Sequence, residues 1–194
     1  MSSKIVFITG ATSGIGAACA HTFASHGYNL ILNARKAVAL EELRLHLQTN
    51  YNIAVHTLCF DVRNRKAAKE AISSLPSEFA SIDILINNAG LALGIDKEYE
   101  GNEEDYETMI DTNITALLML TRMIVPQMVQ RGCGHIINIG SVAGDAAYPG
   151  GSVYCATKAA VKILSDGLRI DLVDTPLRVT NIKPGLVETN FSIT

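Results

Sequence analysis

These 194 residues contain no paired-cysteine motif, no metal-spaced histidines and no basic stripe, and the apolar run in MSSKIVFITG is too short for a signal sequence or a membrane span. Each absence removes a class of protein. With no later run read as long enough to cross a bilayer, the chain is expected to be soluble and cytoplasmic, with no membrane partner. Cys19, Cys59, Cys133 and Cys155 are scattered without a C-x-x-C pair, so they are expected to be reduced thiols. The histidines at positions 21, 26, 46, 56 and 135 lack ligand spacing, so no metal is expected. A net charge of −3, with Lys and Arg interspersed among acidic residues, offers nothing to neutralise a phosphate backbone, so no nucleic-acid partner is expected.

What is present is a regular alternation. Near-continuous apolar runs at 5–9, 29–33, 54–59, 82–86, 135–139 and 178–182 suit strands buried on both faces. Between them, helical patterns span 14–26, 38–49, 65–74, 103–130 and 152–173, with Pro126 expected to kink the fourth. No linker or low-complexity stretch interrupts this order. It predicts an α/β chain, residues 1–194 forming one domain, with a doubly wound Rossmann-type parallel sheet and helices on both faces.

The first strand runs into TGATSGIG, where Gly10, Thr12, Ser13, Gly14, Ile15 and Gly16 lie between strand and helix. Glycines let backbone approach a pyrophosphate, and the free N–H groups at the helix start stabilise the anion. The spacing is G-x-x-x-G-x-G, and a glycine-rich turn alone is also an ordinary structural turn. The second strand ends Leu32-Asn33-Ala34-Arg35-Lys36, with no carboxylate before Glu41. A carboxylate there would bind the ribose of NAD, whereas Arg35 can grip a 2′-phosphate, so NADP is favoured.

Tyr154 and Lys158 are four apart on a predicted helix and so share a face. A nearby ammonium favours phenolate, as would the positive charge of an oxidised nicotinamide, and these bring a tyrosine toward the range useful for general acid/base work. Y-x-x-x-K also occurs by chance, with a buried tyrosine beside an exposed lysine. Context favours chemistry: Ser141, Asn87-Asn88-Ala89-Gly90, the glycine turn and Pro184-Gly185 all fall at the carboxyl edge of the predicted sheet.

In order and type, TGATSGIG, Asp61-Val62, NNAG at 87–90, Asn113, Ser141, Tyr154-x-x-x-Lys158 and Pro184-Gly185 resemble the short-chain dehydrogenase/reductase family. The resemblance implies an oxidoreductase with Tyr154 as general acid/base, Lys158 lowering its pKa and bonding the nicotinamide ribose, Ser141 orienting the substrate oxygen, and Asn113 holding a water that links Lys158 to solvent. It also implies that Asp61 and Val62 flank the adenine, that Asn88, Ala89 and Gly90 lie along the cofactor, and that Thr189 and the backbone near Val187 hold the carboxamide. Within the family, IDILINNAGLALG, GHIINIGSVAGDAAYPGGSVYCATKAAV and KPGLVETNFS are similar to NADP-dependent 3-hydroxy acid dehydrogenases, which include serine dehydrogenases. The same-class alternative is a general carbonyl or 3-oxoacyl reductase; the other is a cofactor-binding fragment or regulatory protein without turnover.

A hydroxy acid substrate carries a carboxylate, yet the segments expected to line its pocket, 91–95 and 142–153, contain no Lys, Arg or His. The family continues past Pro184-Gly185 into a covering loop, a helix and a last strand. The chain is therefore expected to be truncated, with the carboxylate-binding cation in the lid that follows. The apolar helices at 103–130 and 152–173, with Leu117, Leu118, Leu120, Met123, Ile124, Val161, Ile163 and Leu164, are expected to pair in a homodimer or homotetramer.

Overall fold

The computed structural model describes residues 3–188. Six strands form one sheet: β1 (Ile5–Thr9), β2 (Asn29–Ala34), β3 (Val55–Cys59), β4 (Ile84–Asn87), β5 (His135–Ile139) and β6 (Arg178–Ile182). All pairings are parallel and the order is β3-β2-β1-β4-β5-β6, so the chain reverses its direction of winding between β1 and β4. In such a sheet the crevice beyond the carboxyl ends, at that switch point, is where ligands bind. The expected doubly wound sheet is present, with strand bounds within two residues of the apolar runs.

Helices α1 (Gly14–Ser25), α2 (Ala37–Asn50), α3 (Arg65–Ser73), α4 (Glu103–Ile110), α5 (Ala116–Arg131) and α6 (Ser152–Asp171) complete the architecture. Side-chain alternation along β1 divides the core: Phe7 faces a cluster shared with α3, α5 and α6, while Val6 and Ile8 face one shared with α1 and α2. Helices therefore cover both faces. Local chemistry sets several ends. Asn102 Oδ1 accepts from Glu104 N at 2.8 Å, and Glu103, Glu104 and Asp105 occupy the first turn of α4, where negative charge suits the helix dipole. Gly132, at φ 68°, ends α5 in the left-handed region that glycine adopts most easily.

The sequence predicts a single helix over 103–130, but the path is broken differently. Between α4 and α5, Asp111–Thr115 form a wide π-helical turn. Its cause is tertiary: Asn113 is tied on both sides, as described below, and an extra residue in the turn aims it there. The whole stretch Glu103–Arg131 is long and apolar enough to cross a membrane, with a mean hydropathy of 1.2 in its most apolar window, but half of that window is buried inside the protein. Leu120, Ile124 and Met128 pack against the sheet, so it is a core helix.

Candidate active site

The glycine turn joins β1 to α1 at the switch point. Gly10 and Gly14 have φ of 62° and 50°, which side-chain-bearing residues rarely adopt. Gly16 is required for closeness: a Cβ there would overlap the carbonyl oxygen of Gly10 and the amide of Asn88. Ser13 caps α1 in an extended conformation without a side-chain hydrogen bond, so its hydroxyl leaves the first N–H groups of the helix to other acceptors. Thr12 is half-buried, Ser13 and Gly14 are exposed, and Ile15 packs against the α1–α2 side of the core. A backbone cradle of this shape fits a pyrophosphate.

The neighbouring strands brace the turn. Thr9 Oγ1 accepts from Asn88 N at 3.0 Å and Ala89 N at 2.9 Å, and Asn88 Nδ2 donates to Thr9 O and Gly10 O at 2.9 and 3.1 Å. The Asn88 side chain therefore shapes the turn. Thr9 is a positioning residue missing from the expected set, although it is the first letter of TGATSGIG.

Arg35 and Lys36 are exposed at the end of β2. Asp61 follows β3 and is held by Arg63 at 2.7 Å; this pairing pulls its carboxyl below the ordinary range, with a smaller contribution from Arg35. Val62 is buried, in the core cluster that also holds Phe7 and Leu120.

At the other end of the crevice, β5 leads into Ser141, whose Oγ accepts from Ala143 N at 3.1 Å and starts a short 3-10 turn, Val142–Gly144. Gly144 lets this turn pack against α6, because a Cβ there would meet the backbone of Lys158 and Ala159 at 2.6–2.8 Å. That contact brings Ser141 and Tyr154 together, and the Ser141 hydroxyl hydrogen-bonds the Tyr154 phenol. Lys158, one helical turn on, is 5% exposed; its Nζ donates to Ile139 O at 2.9 Å and lies 5.8 Å from the Tyr154 ring centroid.

The electrostatics differ from the sequence expectation. Burial raises the Tyr154 phenol above its ordinary value, and the Ser141 hydrogen bond only partly opposes this. Burial also lowers Lys158 to about 8. Lys158 is thus charged at neutral pH but does not by itself make the tyrosine acidic.

Asn113, in the π-turn, is 2% exposed. Its Oδ1 accepts from Leu91 N at 2.9 Å, and its Nδ2 donates to Leu91 O at 2.8 Å and Thr157 Oγ1 at 3.0 Å. Both amide donors are spent on structure, leaving one lone pair on Oδ1. Gly90 separates that oxygen from Lys158: a Cβ there would sit 3.2 Å from Asn113 Oδ1 and 3.4 Å from Lys158 Nζ.

Pro184 O accepts from Val142 N at 3.1 Å, fastening the Pro184-Gly185 segment to the Ser141 turn; Gly185 and Val187 are exposed. Thr189 lies outside the described residues. Nearby, Lys183 pairs with Asp145 at 2.8 Å. Among the described residues, no group of three or more His, Cys, Asp or Glu is placed to hold a metal ion, and all four cysteines are free.

The family profile described as short chain dehydrogenase matches residues 4–194. An NADP-dependent 3-hydroxy acid dehydrogenase from Escherichia coli K12, YdfG, is 50% identical over 189 residues, which are 97% of this chain and 75% of that protein. A sulfoacetaldehyde reductase from Chromohalobacter salexigens is 44% identical over 189 residues, 97% of this chain and 74% of its own length. Among solved structures, the closed form of a serine dehydrogenase complexed with NADP+ superposes with a TM-score of 0.91 at 49% identity, covering 97% of this chain and 75% of that one. With the ordered motifs and the geometry of the carboxyl edge, these matches show that the chain belongs to the short chain dehydrogenase family.

Proposed function

We propose that residues 1–194 act as a single dinucleotide-binding catalytic domain that moves a hydride between NADP and a small 3-hydroxy acid such as serine. The observation that carries this reading is the convergence of Ser141, Tyr154, Lys158 and Asn113 at one end of a crevice whose other end is a glycine cradle followed by Arg35. Gly10, Thr12, Ser13, Gly14, Ile15 and Gly16 would hold the pyrophosphate and Arg35 the 2′-phosphate. Asp61 and Val62 would flank the adenine, and Asn88, Ala89 and Gly90 would lie along the cofactor. Pro184, Gly185, Val187 and Thr189 would flank the nicotinamide.

Bound NADP supplies the hydride chemistry. Tyr154 gives a proton to, or takes one from, the substrate oxygen at its Oη, while the Ser141 hydroxyl hydrogen-bonds that oxygen and orients it. Lys158 holds the cofactor's ribose and keeps a positive charge within reach of the phenol. Because burial raises Tyr154, the lowering it needs comes from Lys158 together with the positive charge of the oxidised cofactor. The unspent lone pair of Asn113 Oδ1 accepts from a water that carries the proton on from Lys158.

The anionic end of the substrate meets no cation in segments 91–95 or 142–153, and the basic side chain nearby, Lys183, is engaged by Asp145. Tyr148, Ser152 and backbone N–H groups are the available donors. The sulfonate of the substrate named for the Chromohalobacter relative supports a second reading within the same chemistry, reduction of small carbonyl compounds bearing an anion. NADPH consumption or formation against 3-hydroxy acids, serine, a sulfonated aldehyde, 3-oxoesters and simple aldehydes separates them. The 3-hydroxy acids should give the highest kcat/KM, and preference for neutral aldehydes would overturn the assignment.

The chain is further proposed to work in the cytoplasm as a homodimer or homotetramer. Leu117, Leu120, Ile124 and Val161 are consumed by the core, but Leu118 on α5 and Ile163 on α6 stay 43% and 64% exposed, as an interface between copies would require. A strictly monomeric species at micromolar concentration would count against this.

A further inference from the structure

The strand-four motif leads into an irregular segment, residues 91–101, which passes the Asn113 side chain and the turn preceding α6 before the chain enters α4. Most of the segment from Gly94 onward is exposed, and Ile95 is 90% exposed. The internal main-chain bond of this stretch is Glu100 N to Lys97 O at 2.8 Å. Its course is fixed instead by side chains from the α4 side. The Tyr106 hydroxyl donates to Glu98 O at 2.9 Å. Leu93 N donates to the Met109 sulfur at 3.4 Å, and Asn113 brackets Leu91 through both its N–H and its carbonyl. The spacings of three and four residues keep Tyr106, Met109 and Asn113 on one face, each reaching a different point of the segment.

Two glycines show how closely this face and the opposite wall are fitted. A Cβ at Gly101 would collide with the Tyr106 phenol, so the chain folds back directly over that ring. A Cβ at Gly150, φ 74°, would collide with the Ile95 carbonyl, so the segment lies against the turn that opens α6, four residues before Tyr154. Displacing residues 91–101 therefore moves the wall that faces the reacting end.

We propose that Tyr106 and Met109 are positioning residues for substrate binding: through Glu98 and Leu93 they hold residues 91–101 against Gly150 and so set the substrate side of the crevice without touching the cofactor. This rests on the reading of the site as a hydride-transfer centre. Substrate then meets a pre-ordered wall; without the two bonds it must order that wall as it binds.

Tyr106→Phe keeps the ring and removes the hydroxyl. The expected result is a rise of about fivefold in substrate KM, the scale of one neutral hydrogen bond, with kcat and the NADPH dissociation constant within about twofold of wild type. Met109→Leu should shift KM in the same direction. Backbone amides of residues 91–101 should exchange faster with deuterated water in both variants, while β1, β2, β4 and β5 keep their protection. Unchanged KM together with unchanged exchange would overturn the inference. So would a KM rise accompanied by equal losses of sheet protection and NADPH affinity, which would mark the two residues as merely structural. The exchange measurement needs no turnover: a wild-type chain inert on every substrate would sink the functional reading, while exchange still decides whether these residues hold the wall.

Discussion

Between Gly10 and Gly16 the chain leaves side chains out, whereas between Ser141 and Lys158 it fills the space with polar side chains tied to the backbone. The glycine end needs only shape and the N–H groups of a helix start, so its tolerance is steric. The end proposed to be catalytic keeps a lysine 5% exposed and an asparagine 2% exposed, so its tolerance is electrostatic. One end should therefore fail when atoms are added, and the other when charge or a hydrogen-bond partner is removed.

For cofactor affinity, the largest effect is expected from adding a single methyl group at the glycine end. Gly16→Ala would push against Gly10 O and Asn88, and NADPH affinity, followed by fluorescence titration, should fall by about 100-fold. Affinity within threefold of wild type would show that the cradle does not set the approach.

At the catalytic end, Lys158 gives a test of sign. Its folded pKa of about 8 lies below the ordinary 10.5, so between those values the unfolded chain binds more protons and stability should rise with pH. Burying the charge costs roughly 3 kcal/mol below pH 8, and that cost is relieved toward pH 10.5. Denaturant titrations should show this slope in wild type and lose it in Lys158→Met. Turnover should move the opposite way, declining as pH rises through about 8 and Lys158 loses its charge.

Arg35→Gln should weaken NADPH binding by about 10- to 100-fold and leave NADH nearly untouched, since only the 2′-phosphate contact is lost. An effect on stability alone concerns the packing behind the site. Asn87 Nδ2 donates to Asn138 Oδ1 at 2.9 Å, and Asn138 Nδ2 donates to Ser165 Oγ at 2.9 Å, forming a buried polar chain from β4 through β5 to α6. Ser165→Ala strands the Asn138 amide and should cost about 1–3 kcal/mol. Calorimetry should read that as a few degrees in Tm, with NADPH affinity unchanged.

The glycine end is the more legible in sequence for the same reason that it is sterically strict: a missing side chain is written directly as Gly, and Arg35 follows directly after the next strand. Strand positions were also readable, because strands covered on both faces are near-continuous apolar runs. The catalytic end was legible in its residues but not in its supports. Tyr154, Lys158 and Ser141 stand out by type and spacing, but no residue marks Asp111–Thr115 as a π-turn. That geometry is decided by Asn113 reaching Leu91 in one segment and Thr157 in another. Tyr106 and Met109 share a face with Asn113, a periodicity visible in the sequence, but their acceptor and donor are backbone groups of an irregular segment. Tyr154 is the clearest divergence: proximity to lysine suggested a lowered pKa, and burial, which helical spacing does not report, raises it.

The proposal is that Tyr154 moves the proton, with Ser141, Lys158 and Asn113 supporting that transfer and the glycine end holding the cofactor. Its most direct test is Tyr154→Phe beside wild type, with NADPH absorbance followed in the presence of a small 3-oxo acid or its hydroxy acid partner and NADPH binding titrated in parallel. Turnover should fall by about 10²- to 10⁴-fold, with the NADPH dissociation constant within about twofold of wild type. A Tyr154→Phe chain that turns over at the wild-type rate would contradict the account.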